Sequence, residues 1–130
     1  MDQLIRSMNF EFFGEGRHKV TPDALIEMKN VLLLDVRSRV ESETISITFA
    51  HHQNITCMHI PLDELPDRIG EITREKFIAI FCPANVRASI AYMYLLLKRF
   101  SDVRILDGSY EALVEVVKPG AVWRVLQNKG

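Results

Sequence analysis

Residues 77–100 read FIAIFCPANVRASIAYMYLLLKRF. The opening run, FIAIF, is apolar and rich in strand-forming residues, and it stops at Cys82. A short turn follows, with four residues between Cys82 and Arg87, and then a long apolar segment with helical character begins. Strand, tight turn and helix in that order are the unit of a parallel α/β sheet. Such sheets hold their ligands beyond the carboxyl ends of the strands, where the helices start.

Outward from this stretch the same grammar repeats. VLLLDV (31–36), KFIAIF (76–81) and VRIL (103–106) are short apolar runs suited to strands buried on both faces. Helical patterns separate them. TPDALIEMKN offers Thr21 as N-cap, Pro22 at the first helical position and Asp23 in the first turn. LDELPDRIGEI (62–72) reads as a short helix broken near Pro66. The segment after the cysteine turn is apolar nearly all round from Ala88 to Leu97, with Lys98 and Arg99 expected in its last turn, where cations suit the helix dipole. SYEALVEVVK (109–118) reads as a further amphipathic helix. TISITF (44–49) alternates with period two and is expected as an edge strand, open to pairing between chains in a homodimer. ITCMHI (55–60) is expected as a core strand with Cys57 buried. NFEFFGEGRHK, near the start, is expected to cover one side of the sheet.

Composition bounds the function. A chain of 130 residues suits one domain with a core of its own. The formal net charge of −1 argues against nucleic acid or an anionic membrane as principal partner. Cys57 and Cys82 are the only cysteines, so a disulfide framework is not expected and a reducing compartment is. The first residues lack the apolar core of a secretory signal, and no apolar run reaches the ~18 residues of a membrane span. A cytoplasmic location is the expectation. His51 and His52 are adjacent and would point apart in a strand, so no metal site is expected.

The chemistry centres on Cys82. Helix-start N–H groups lack internal partners, and the helix dipole adds partial positive charge there. Arg87 adds a permanent cation. Both favour a thiolate, so the turn can cradle a nucleophilic sulfur. A buried cysteine of purely structural role is the alternative. Asp35, Arg37 and Glu41 could line the same site, but they read better as a structural ion-pair group.

Taken together, these segments resemble the rhodanese-like family of single-domain sulfurtransferases over roughly residues 20–115. VTPDAL resembles the family's opening helix. LLLDVRSRVE resembles its strand followed by Asp-Val-Arg, with Glu41 where a glutamate is usual. HIPLDEL is similar to the Ile-Pro-Leu segment, FCPANVR to the Cys-x4-Arg loop, and ILDGSYEAL to the closing Gly-Gly-Tyr segment. The chain departs from the family at SETISITFAHHQNIT, which replaces a shorter connection. Asn85 stands where glycine is common, which points to a positive φ that asparagine tolerates. Pro83 replaces a common basic residue, and Leu113 a tryptophan.

The resemblance implies a three-layer α/β domain with a central, mainly parallel sheet over residues 20–118. An N-terminal extension (1–19) would precede it and a C-terminal helical tail (119–130) would follow. It implies a sulfurtransferase in which Cys82 carries a persulfide, Arg87 supports the reaction, and Pro83, Ala84, Asn85, Val86 and Arg87 bind the substrate. The donor would be thiosulfate or a protein persulfide, the acceptor a thiol or cyanide, and no metal, nucleotide or flavin would be required. Related cysteine phosphatases and arsenate reductases use a loop one residue longer, which ranks them lower. A binding module that keeps the fold without the activity is the other alternative.

Overall fold

Strand β2 (Val31–Asp35) is buried along its whole length, because it lies between two parallel neighbours and is covered on both faces. The computed structural model describes residues 1–44, 52–83, 85–108 and 112–113. Helices α1 (Asp2–Ser7) and α2 (Phe10–Gly14) lead into β1 (Lys19–Val20) and α3 (Pro22–Glu27). Beyond β2 come α4 (Arg39–Thr44), β3 (Ile55–His59) and α5 (Leu65–Arg68), the last flanked by single 3₁₀ turns. The described chain continues through β4 (Phe77–Phe81), α6 (Val86–Leu97) and β5 (Val103–Leu106). The strands form one five-stranded sheet in the order β1-β5-β4-β2-β3, every pairing parallel.

Strand alternation sorts the core into two layers. Leu32, Leu34, Ile78, Ile80 and Cys82 face one side, with Ala88, Ala91, Tyr92 and Leu95 of α6. Val31, Leu33, Ala79 and Phe81 face the other, with Leu25 of α3. Each fully buried aliphatic side chain here contributes about 1.5–3 kcal/mol relative to exposure. Met8 and Phe12 pack against the α6 layer. Of the segment 9–19 expected to cover the sheet, Phe12 does so, while Phe10 and Phe13 are exposed. Among the described residues no helix is long and apolar enough to cross a membrane.

Local chemistry explains several boundaries. The Thr21 hydroxyl accepts from the Ala24 N–H at 3.2 Å, with Pro22 at the first helical position. Pro66 sits near the start of α5, where a missing N–H costs nothing, so the 62–72 segment divides into short turns around it. Helix α6 ends at Leu97, not in the Lys98–Arg99 turn that its sequence suggests. Arg99 adopts φ 68, which lets Phe100 donate its N–H to the Leu95 carbonyl at 3.0 Å and turn into the core. Gly108 has φ 131, and a Cβ there would meet that of Ala112 at 3.0 Å.

Two expectations are corrected. ITCMHI is not a core strand: β3 closes the described sheet at one edge, with Thr56 and Cys57 exposed and Ile55 buried. Cys57 is accordingly not a packed core residue. Thr44 belongs to α4, and the remainder of the expected 44–49 strand lies outside the described residues. So do most of the expected 109–118 helix and the 119–130 tail.

A polar knot lies within this apolar frame. Arg37 is completely buried, just past β2. Its Nε meets both oxygens of Asp35 at 2.9 and 3.0 Å, and its Nη2 meets Oδ2 at 2.7 Å. Its guanidinium also lies 5.5 Å from the Phe81 ring centre. Losing one partner of such a pair strands the other charge in a low-dielectric interior. Arg37→Met should therefore lower unfolding free energy by about 3–5 kcal/mol, and adding Asp35→Leu should restore much of the loss. Urea denaturation of both variants checks this. A single-variant loss below about 1 kcal/mol would mean that the pair is not structural.

Candidate active site

Residues 81–88 join the end of β4 to the start of α6. Cys82 follows Phe81 directly, and period two turns its side chain to the α6 side of the sheet. It is fully buried. The Asn85 N–H donates to the Cys82 carbonyl at 3.2 Å, closing the turn. Asn85 has φ 63 and ψ −7, the left-handed conformation expected where a glycine is common. Its carbonyl accepts from the Ser89 N–H at 3.0 Å, the bond that starts α6, and from the Ser89 hydroxyl at 2.7 Å. The N–H groups of Val86, Arg87 and Ala88 precede that first helical bond and have no acceptor inside the helix. The Asn85 side-chain oxygen is buried with no hydrogen-bond partner among the described residues.

Arg87 is held from across the site. Its Nη1 and Nη2 meet the Glu41 oxygens Oε1 and Oε2 at 2.5 and 2.8 Å, a two-pronged ion pair. Glu41 is itself aimed by the start of α4. The Ser38 N–H and hydroxyl donate to its Oε1 at 3.2 and 2.9 Å, while its own N–H donates to the Ser38 oxygen at 3.2 Å. This is a reciprocal capping box. The Glu41 carboxyl is drawn from an ordinary 4.5 down to about 2, first by the Arg87 hydrogen bonds and then by Ser38. Arg87 is pushed above the usual arginine range, chiefly by its hydrogen bonds to Glu41. The Cys82 sulfur, facing the guanidinium, adds to that upward push.

The sequence reading placed Asp35, Arg37 and Glu41 in one structural group. The structure divides them. Asp35 and Arg37 form the buried pair beneath the site, and Glu41 reaches Arg87 instead. The local signal was present as Ser38-x-x-Glu41, but the long-range partner of that glutamate was not. Arg37 still serves the site indirectly: its Nη1 reaches the Glu41 carbonyl at 3.5 Å, and His59 Nε2 donates to the Arg37 carbonyl at 2.8 Å.

Of the residues expected to bind substrate, Pro83, Asn85, Val86 and Arg87 lie on this turn, with Val86 well exposed. Ala84 lies outside the described residues. Cys57 does not approach Cys82. In register it sits level with Ala79 two strands away, on the opposite face from Cys82. The separation is roughly 14 Å from strand spacing and rise, far beyond disulfide reach. Among the described residues, no group of three or more His, Cys, Asp or Glu side chains could hold a metal ion.

A family model described as the rhodanese-like domain matches residues 21–115. The chain is similar to a rhodanese-like domain protein from Staphylococcus aureus, with 25% identity and a TM-score of 0.60 over 73% of this chain and 89% of that one. It is similar to part of an NAD-dependent persulfide reductase from A. fulgidus, with 28% identity and a TM-score of 0.56 over 76% of this chain and 16% of that one. It shares its fold with a single-domain sulfurtransferase from Saccharomyces cerevisiae at 21% identity, with a TM-score of 0.59 over 79% and 91% of the two chains.

Two predictions follow from the loop. At Asn85, glycine fits the left-handed backbone freely, whereas a β-branched residue is strained by about 1–3 kcal/mol. Asn85→Val should change the alkylation rate of Cys82 by iodoacetamide more than it lowers the melting temperature, and Asn85→Gly should do neither; peptide mapping and thermal melting check both. Equal alkylation of the two variants would show that the turn does not need its left-handed residue.

The second concerns pH. Glutamine keeps the capping box but not the charge, so Glu41→Gln isolates the ion pair. A carboxylate with a depressed folded-state pKa adds stability above its unfolded pKa, and that stability disappears as pH falls through the folded value. The melting-temperature advantage of the native protein over Glu41→Gln should hold level above pH 4.5 and shrink as pH falls toward 2. An advantage independent of pH over that window would contradict the assigned ion pair.

Proposed function

We propose that this chain, which belongs to the rhodanese-like domain family, moves a sulfane sulfur through a persulfide on Cys82. The observation that carries the reading is the placing of Cys82 at the carboxyl end of β4, packed with Ala88 in the first turn of α6, the turn that also carries Arg87.

The Cys82 thiolate attacks the outer sulfur of the donor. A new S–S bond forms as the donor's bond to that sulfur breaks, and the donor's remaining portion leaves with the electron pair. The terminal sulfur of the Cys82 persulfide then lies where the N–H groups of Val86, Arg87 and Ala88 can donate to it, as preorganised donors do to an oxyanion. An acceptor thiol or cyanide attacks the outer sulfur and returns Cys82 to its thiolate. Transfer is fastest when the departing thiolate is a good leaving group. Glu41 holds Arg87 in place through this cycle and does not touch the sulfur. Cys82 is fully buried, so a donor reaches its sulfur only once the groups that cover it move aside.

That burial also favours a second reading, a binding module with a sheltered and poorly reactive cysteine. The phosphatase reading fits less well, because the turn from Cys82 to Arg87 is one residue shorter than such enzymes use.

Intact-mass analysis after exposure to a sulfane-sulfur donor separates these readings. The native protein and Cys57→Ser should each gain one sulfur that a reductant removes, and Cys82→Ser should gain none. Arg87→Ala keeps the three backbone donors but removes the cation of the turn and the ion pair to Glu41, so it should remain folded and load more slowly. No gain on Cys82 from any donor would favour the binding module.

A further inference from the structure

Two cavities lie between the N-terminal segment and α6, and Cys82 lines neither. The larger has a volume of about 320 Å³. Leu4, Met8 and Phe12 line it from the N-terminal side, and Leu96 from α6. Phe77 and Val103, the first residues of β4 and β5, also line it. It thus sits at the opposite end of β4 from Cys82, roughly 16 Å away at the rise of a strand. The smaller, of about 190 Å³, is walled chiefly by Met8, Phe13, Tyr92, Met93 and Ile105. Met8 and Tyr92 belong to both linings, so the cavities adjoin. The family match begins at residue 21, so the segment that roofs them lies outside it.

The two differ in chemistry. In the smaller, the Ser89 hydroxyl is engaged by the Asn85 carbonyl. Burial lowers the His18 imidazole below its ordinary pKa, so it stays uncharged near neutrality. The rest of that wall is almost wholly apolar.

The larger cavity carries polar groups that lack partners. Tyr92 is 6% exposed, yet its hydroxyl makes no hydrogen bond among the described residues. A buried tyrosine hydroxyl usually finds one. Burial pushes this hydroxyl up from its ordinary pKa, and the charge of nearby Arg104 works against the rise. Arg104 donates through Nη1 to the Gly16 and Lys19 carbonyls, both at 3.1 Å, and no carboxylate among the described residues pairs with it. Arg17, on the same lining, is paired with Glu15 at 2.6 Å. Asp102 lines the cavity as well, but it is exposed, and solvent screens its charge.

We propose that the adjoining cavities bind a small carboxylic acid with an apolar body, its carboxylate on Arg104 and the Tyr92 hydroxyl and its chain among Met8, Phe13, Met93 and Ile105. The carboxylate supplies what the larger cavity lacks: an acceptor for an unpaired hydroxyl, and a charge for a guanidinium held only by carbonyls. The chain suits the smaller cavity, whose apolar wall has no use for a polar group. An alcohol of the same chain meets only the second need, and acetate only the first.

Isothermal titration calorimetry of the whole chain with octanoate, octanol and acetate tests the assignment. Octanoate should bind, acetate should not, and octanol should bind about tenfold more weakly or worse, the worth of a charge-assisted hydrogen bond. Tyr92→Phe, which keeps the ring, and Arg104→Gln should each weaken octanoate by about tenfold. Met93→Trp, which fills the smaller cavity, should weaken octanoate and octanol alike. Arg104 also fixes two backbone carbonyls, so Tyr92→Phe decides the matter if Arg104→Gln does not fold. The proposal is overturned if octanoate does not bind at about 1 mM, or if octanol binds as tightly. Octanoate binding that ignores both Tyr92→Phe and Met93→Trp overturns it as well.

Discussion

A guanidinium cut off from water must find its hydrogen bonds inside the protein. Arg37 is such a group, and the neighbourhood of the site is arranged around it. Asp35 supplies the balancing charge, Phe81 a ring face, and the Glu41 carbonyl an acceptor. Those three residues belong to β2, β4 and α4. The Arg37 carbonyl in turn receives His59 from β3. One buried side chain and its own backbone thus tie together four elements that must agree in position before Cys82 and Arg87 can meet.

Two further devices act on the backbone. Left-handed Asn85 turns the chain so that α6 starts directly over the end of β4, and the Ser38–Glu41 capping box does the equivalent work for α4. The Glu41–Arg87 ion pair then joins one helix start to the other. Arg87 is thus oriented from two directions: by its place in the first turn of α6, and by a carboxylate that is itself aimed by a serine.

The frame was legible in the sequence where the signals are local. VLLLDV, KFIAIF and VRIL gave continuous apolar runs, Thr21-Pro22 a helix start, and Asn85 a positive φ, and each of these depends on near neighbours. What escaped depends on the order of strands in space. ITCMHI is apolar enough for an interior strand, but its place at the sheet edge, and with it the exposure of Cys57, follows from how β2 and β4 pair. The partner of Glu41 lies 46 positions away, a distance over which spacing carries no information. The structural pairing of Arg37 with Asp35 was legible, but its burial was not, since a charge that is normally exposed is enclosed here because an acid two residues earlier shares the enclosure.

The strand order also constrains how the chain acquires its shape. β1 leaves the ribosome well before β5, yet the two are neighbours, and the side chain of Arg104 reaches back 85 positions to the Lys19 carbonyl. Pairings between such distant segments must meet the entropy of closing a long loop before they return any energy, which slows folding. During synthesis β1 therefore waits with its backbone unpaired until residues 103–106 have emerged. The β2–β4 pair, at the centre of the sheet, can form earlier and already brackets the cysteine turn. The reactive corner of the protein can thus take shape while the sheet is still open at one side, and the N-terminal helices, which cover α6 through Met8 and Phe12, are free to shield apolar surface in the interval.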